Sequence, residues 1–207
     1  AIQVNDGGDG HFDAGDLILF FGEAADKWKY EKLTRNYSHV RNLYSDTTYY
    51  FLNFDQSTGK RVQPLPAPTI SPNYFSSTFD DVVAHELDLS NLIRSGKEWY
   101  GETFDNAVSE ILFPFTFPSI DSSSSLKIKW SVAANAPVPS YFRLLRDGLV
   151  IDSLKIDSTD PKEFTRAGRT KFKVISVPVH KADQSLTVSY SMPTTNAKGW
   201  LNYLELT

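Results

Sequence analysis

Along the second half of the chain, apolar and polar residues alternate with a period of two. Leu126, Ile128, Trp130 and Val132 are interleaved with Lys127, Lys129 and Ser131, and Leu186, Val188, Tyr190 and Met192 with Thr187, Ser189 and Ser191. Successive side chains of a strand point to opposite faces, so this spacing predicts strands with one buried and one wet face. Lys171 to Val177 alternates in the same way. Phe142–Arg146 and Leu149–Leu154 flank Asp147-Gly148, a pair suited to the positive φ angles of a type I′ turn, which predicts a β-hairpin. Turn-rich separators fall at Asp121–Ser125, Arg166–Arg169, Lys181–Gln184 and Thr194–Gly199. Short strands at these intervals predict an all-β fold: an antiparallel β-sandwich of jelly-roll type.

The first part of the chain reads differently. Asp16–Gly22 and Thr47–Phe54 are continuous apolar or aromatic runs, predicted as buried strands, and the polar and aromatic stretch Glu23–Ser45 between them has no helical stripe. Pro64, Pro66, Pro68 and Pro72 then fall close together, and a run of fixed φ angles without amide donors makes a stiff, extended connector. The expected organisation is a β-rich module over residues 1–62, a Pro-rich connector over 63–73 and a jelly-roll-like sandwich over 74–207. One short helix is expected at Glu86–Ser95, where Leu87, Leu89, Leu92 and Ile93 form a partial apolar face and Gly96 supplies a stop. The chain opens on Ala1-Ile2-Gln3-Val4 and closes on Gly199–Thr207, both strand-like and with no initiator Met, which reads as an excised part of a longer protein.

Composition narrows the chemistry. The 207 residues contain no cysteine, which excludes disulfides, thiolate metal sites and a cysteine nucleophile in this chain. A net charge of −4 argues against nucleic acid as a partner, since neutralising phosphates takes a concentrated excess of Lys and Arg. The one basic cluster, Arg166, Arg169, Lys171 and Lys173, has spacing that suits a turn leading into a solvated strand face. No apolar run approaches the roughly 18 residues of a membrane span.

Two groups of residues could carry binding. The segment Asn5 to Asp16 places Asn5, Asp9, the His11 carbonyl, Asp13 and Asp16 near the ligand positions of a calcium loop, with Gly10 at the sharp turn. Gly7 offers no side chain at the third position, and the last ligand is Asp instead of Glu. The other reading of this loop is a glycine-rich turn whose aspartates bond their own backbone. No cofactor is required, and calcium is the cation the loop would suit. Trp28, Tyr30, Trp99, Tyr100 and Trp200 supply flat rings for a sugar-stacking platform, with Trp28, Trp99 and Tyr100 the candidate ligand-binding residues; the alternative is that these rings are core. The four histidines have no metal-ligand spacing; His85-Glu86 opens like a zincin motif, but Leu89 stands where the second His must fall. No Gly-x-Ser-x-Gly elbow is present, and no catalytic residue is identified.

Five segments together resemble the region that precedes the catalytic domain in gingipain-like (C25) cysteine peptidases, most specifically the PorU-type sortases of type IX secretion. They are Asp9–Phe12 with Gly15–Gly22, Asp26-Lys27-Trp28, Asn42–Leu52, Glu86–Glu102 and Gly199–Leu206. The stretch Ser95–Glu102 is the most specific, and none is a catalytic signature. The resemblance implies a parent exported to the periplasm and outer-membrane surface of a Bacteroidetes-type bacterium, cleaving sorting signals from secreted cargo. The present residues would be its non-catalytic β-rich front, a recognition or positioning region. Its implied partners are the downstream peptidase domain of the same chain, outer-membrane secretion proteins and secreted cargo. A carbohydrate-binding or adhesin-like β-sandwich is the alternative reading.

Overall fold

A computed structural model describes residues 1–53, 59–92, 96–159 and 168–207. Over these residues the secondary structure is entirely β. Two short strands, β1 (Ile2–Asn5) and β2 (Leu17–Phe20), pair antiparallel, and β3 (Lys27–Glu31) and β4 (Asn36–Val40) form a second two-stranded sheet. The connection from Glu31 to Asn36 is short enough to make this second pair a hairpin, and Arg35 turns it with φ of 52°.

The remaining strands are β5 (Val83–Glu86), β6 (Thr103–Phe104), β7 (Glu110–Phe113), β8 (Ser125–Asn135), β9 (Ser140–Arg146), β10 (Leu149–Ile156), β11 (Arg169–Pro178), β12 (Leu186–Ser191) and β13 (Lys198–Leu206). One sheet runs β11-β8-β13-β5, with β6 also on β13, and the other runs β10-β9-β12-β7. All these pairings are antiparallel. From β7 onward the chain changes sheet at every connection except the β9–β10 hairpin, and the first long-sheet strand, β5, lies beside the last, β13. That is jelly-roll order.

Alternation explains the interior. Leu126, Ile128, Trp130 and Val132 of β8 and Leu201, Leu204 and Leu206 of β13 meet Phe142 and Leu144 of β9, Leu154 and Ile156 of β10, and Leu186, Val188 and Tyr190 of β12 in one apolar core. Burying each of these side chains is worth about 1.5–3 kcal/mol, enough to hold the two sheets face to face. The β9–β10 turn is as expected, with φ of 52° at Asp147 and 76° at Gly148. β13 is buried on both faces, because its outer face is covered as well.

Three local expectations are corrected. Residues 86–92 form no helix: Glu86 ends β5, and Ser90 instead bridges to Tyr100 through a pair of 2.8 Å backbone hydrogen bonds. A helix of that length carries an unfavourable nucleus, and pairing with Tyr100 satisfies the backbone instead. Residues 93–95 of that segment lie outside the described residues, as does Phe54. Over residues 47–53 no strand forms, and the rings of Tyr49 and Phe51 are exposed. β2 does form, but Leu17, Leu19 and Phe20 stay exposed, since a two-stranded sheet has no second layer to bury them.

The chain divides into two compact units, Ala1–Lys27 with Val40–Phe79, and Trp28–His39 with Asp80–Thr207. The β3–β4 hairpin therefore belongs with the jelly roll, although both flanking segments belong to the other unit.

Candidate functional site

The densest polar constellation lies on the outer face of the β11-β8-β13-β5 sheet, where the β3–β4 hairpin meets it. Strand alternation aims Lys127 and Lys129 of β8, Tyr203 and Glu205 of β13 and Glu86 of β5 away from the apolar core. The register sets Glu205 beside Lys129 and Tyr203 beside Glu86. The Glu205 side chain is only 2% exposed, and both its carboxylate oxygens accept from Lys129 Nζ, at 3.2 and 3.3 Å. Burial pushes its carboxyl up, against the opposing pull of Lys129 and a hydrogen bond from the His39 backbone amide. Lys129 Nζ also lies 4.9 Å from the centre of the Tyr203 ring and 3.4 Å from Ser38 Oγ. The Tyr203 hydroxyl is pushed up by burial first and by Glu205 second.

The hairpin answers this face residue by residue. Lys127 Nζ donates to the Arg35 carbonyl at 2.9 Å and to Asn36 Oδ1 at 3.0 Å, one period of two before the Lys129–Ser38 contact. His39 Nδ1 lies 2.8 Å from Glu86 Oε2, and the Trp28 ring stacks on His39 with centroids 5.2 Å apart. Tyr30 and Tyr37 make a second cross-strand ring pair at 4.8 Å, and the Tyr37 hydroxyl donates to Asp80 Oδ2 at 3.3 Å. Further along the sheet, Asn202 Nδ2 donates to Glu98 Oε1 at 3.3 Å and to Ser131 Oγ at 3.4 Å.

Chemically this is a joint. Proton transfer to a substrate needs an acid or base within hydrogen-bond reach of it, and Glu205 is closed off from solvent with both its oxygens committed to Lys129. A second His–carboxylate pair sits near β6: His85 Nε2 is 2.7 Å from Glu102 Oε1, with the His85 ring 4.8 Å from Phe113. Burial would push the Glu102 carboxyl up, but the His85 bond and its own backbone amide bring it below the usual carboxylate range.

The residues singled out from the sequence fall elsewhere. In the Asn5–Asp16 loop, Asp6 Oδ1 accepts from the Gly8 amide, Asp9 Oδ1 from the His11 amide and Asp16 Oδ2 from the Asp13 amide. Its glycines Gly7, Gly8, Gly10 and Gly15 all take positive φ. Among the described residues no group of three or more His, Asp or Glu side chains could hold a metal ion. The carboxylates of Asp6, Asp9 and Asp16 are engaged with the loop's own amides. Tyr100 and Trp200, grouped in the sequence with the exposed rings, are buried and pack with Ala133 and Leu92. The Tyr100 hydroxyl lies 2.6 Å from Thr170 Oγ1, and burial pushes it up to about 12. Trp28 and Trp99 are half-buried and stand in different parts of the fold, on β3 and just before the Tyr100 bridge. In the basic cluster Lys171 and Lys173 stand on an exposed strand face, as expected, and are also paired: Lys171 meets Asp157 and Lys173 meets Asp152, Arg169 donates to the Ser158 carbonyl, and Arg166 lies outside the described residues. Alternation alone makes Lys127 and Lys129 a wet face, so it does not point to the joint. Its signal, a buried Glu205 opposite Lys129, exists only once strand register is known.

Fold and joint together define a jelly-roll β-sandwich accompanied by a smaller β-rich unit. The same fold over nearly the whole chain occurs in dimeric latent PorU from Porphyromonas gingivalis, which matches with a TM-score of 0.67 and 20% identity over 94% of this chain and 18% of that one. The present chain thus spans under a fifth of the PorU chain it resembles. A carbohydrate-binding module, CBM36, in complex with calcium and xylotriose matches with a TM-score of 0.40 and 10% identity over 60% of this chain and 88% of that one. A family 35 carbohydrate-binding module from Clostridium thermocellum matches with a TM-score of 0.37 and 13% identity over 61% and 91% of the two chains. No family model and no curated protein matches the sequence. Among the described residues no helix is long and apolar enough to cross a membrane.

Proposed function

We propose that this chain is a non-catalytic recognition and positioning region of a cell-surface, gingipain-like (C25) cysteine peptidase of the type IX secretion system, without activity of its own. The observation that carries the reading is the PorU match, which extends over 94% of this chain at a TM-score of 0.67. The complete lack of cysteine supports it, because the nucleophile of such a peptidase must then come from another part of the polypeptide. On this reading the parent acts in the periplasm and at the outer-membrane surface, and the region's partners are the peptidase domain, the secretion machinery and its cargo.

The test is the reading frame of the gene beyond Thr207, together with an activity assay of this chain. A His and a Cys within an α/β peptidase domain are expected downstream, and no turnover of peptide substrates by the 207 residues alone. A reading frame without such a domain, or measurable hydrolysis by this chain, overturns the proposal. Saturable glycan binding that disappears in Trp28→Ala or Trp99→Ala would replace it with a carbohydrate-binding role.

A further inference from the structure

We propose that the β3–β4 hairpin is a detachable clasp over the outer face of the jelly roll, held by hydrogen bonds and able to open as a unit while the sandwich stays folded. The first observation is what holds it. None of the described side chains of Trp28–His39 belongs to either apolar cluster of the fold. What joins it to the sheet is polar: Lys127 to Arg35 and Asn36, Lys129 to Ser38, His39 to Glu86, the His39 amide to Glu205, and Tyr37 to Asp80. Such contacts exchange for water at small net cost, whereas each buried core side chain does not. An element held this way opens at a lower free energy than the core that supports it.

The second observation is topological. Trp28–His39 groups with the jelly roll, while the residues joined to it by peptide bonds at either end, Ala1–Lys27 and Val40–Phe79, form the other unit. Opening the hairpin uncovers Lys127, Lys129, Glu86 and Glu205 together.

Hydrogen exchange of the full chain, read by segment, tests this. The amides of β3 and β4 should exchange through a shared opening, faster than those of β8 and β13. Lys127→Met keeps the aliphatic stem and removes the ammonium; it should speed hairpin exchange by roughly an order of magnitude and leave β8 and β13 unchanged. Lys127 is preferred to Lys129 because loss of Lys129 also leaves Glu205 buried without its cation. Hairpin amides that exchange only when the core amides do would overturn the proposal. So would a Lys127→Met hairpin that exchanges at the wild-type rate while Trp28→Ala speeds it, since apolar packing would then be the fastening.

Discussion

Single side chains decide how closely the two sheets approach. A Cβ placed on Gly199 would lie 2.5 Å from Phe142 Cζ and 3.2 Å from two atoms of the Tyr190 ring. Phe142 cannot swing away, because it is fully buried between Phe104, at 5.5 Å, and Tyr190, at 4.5 Å. Gly199→Ala is expected to destabilise the sandwich by about 1–3 kcal/mol through overpacking, measured by urea denaturation, and a neutral result would show that the sheets can separate locally. Glu205 sets a pH dependence. Its carboxyl is raised in the folded state by burial, so the fold holds that proton more tightly than the unfolded chain does. The resulting stability is full below the ordinary carboxylate range and is lost as pH rises through the raised value. Glu205→Gln removes this titration, so its stability relative to the wild type should be more favourable at pH 7 than at pH 4; the opposite ordering would mean that Lys129 outweighs burial. Glu102 runs the other way: its lowered carboxyl contributes stability above the ordinary range that is lost as pH falls through the folded value.

Elements were legible where local chemistry and burial agree. Asp147-Gly148 specifies its hairpin outright, since both residues take positive φ and few other pairs do so without strain. Gly148→Ala should cost about 1–2 kcal/mol, visible as a lower urea midpoint, because the added Cβ is disfavoured in the left-handed region even though nothing crowds it. The long alternating strands β8 and β12 were equally readable, and their apolar faces became the core. Burial of the opposite face was not readable. Ser131 and Glu205 belong to wet positions of their strands by alternation, yet both are buried, because Asn202 and Glu98 bond around the one and the β3–β4 joint covers the other. The helix expected at Glu86–Ser95 failed for a related reason: the spacing of Leu87, Leu89 and Leu92 suits a helical face, but a long-range partner, Tyr100, takes the backbone of Leu89 and Ser90. Contacts between residues distant in sequence override a weak local preference.

Across the whole molecule the apolar content is unevenly used. Among the described residues every buried hydrophobic side chain falls in the unit formed by Trp28–His39 and Asp80–Thr207, and none in Ala1–Lys27 and Val40–Phe79 is buried. The second set is not poor in apolar residues: Phe21, Tyr44, Phe51, Leu65, Ile70 and Phe75 are all there, and all exposed. Two short strands and a proline-rich stretch supply one thin layer, and ordering a residue costs about 1–2 kcal/mol that only burial can offset. Cutting the chain after Phe79 should therefore give a fragment 1–79 with no cooperative thermal transition and little amide dispersion in NMR spectra, whereas the full chain melts cooperatively through its sandwich. A cooperative melt of the fragment would mean that its rings collapse into a core of their own. If it does not melt, the rings of this unit are exposed because two short strands cannot bury them, and no core of their own replaces the missing layer.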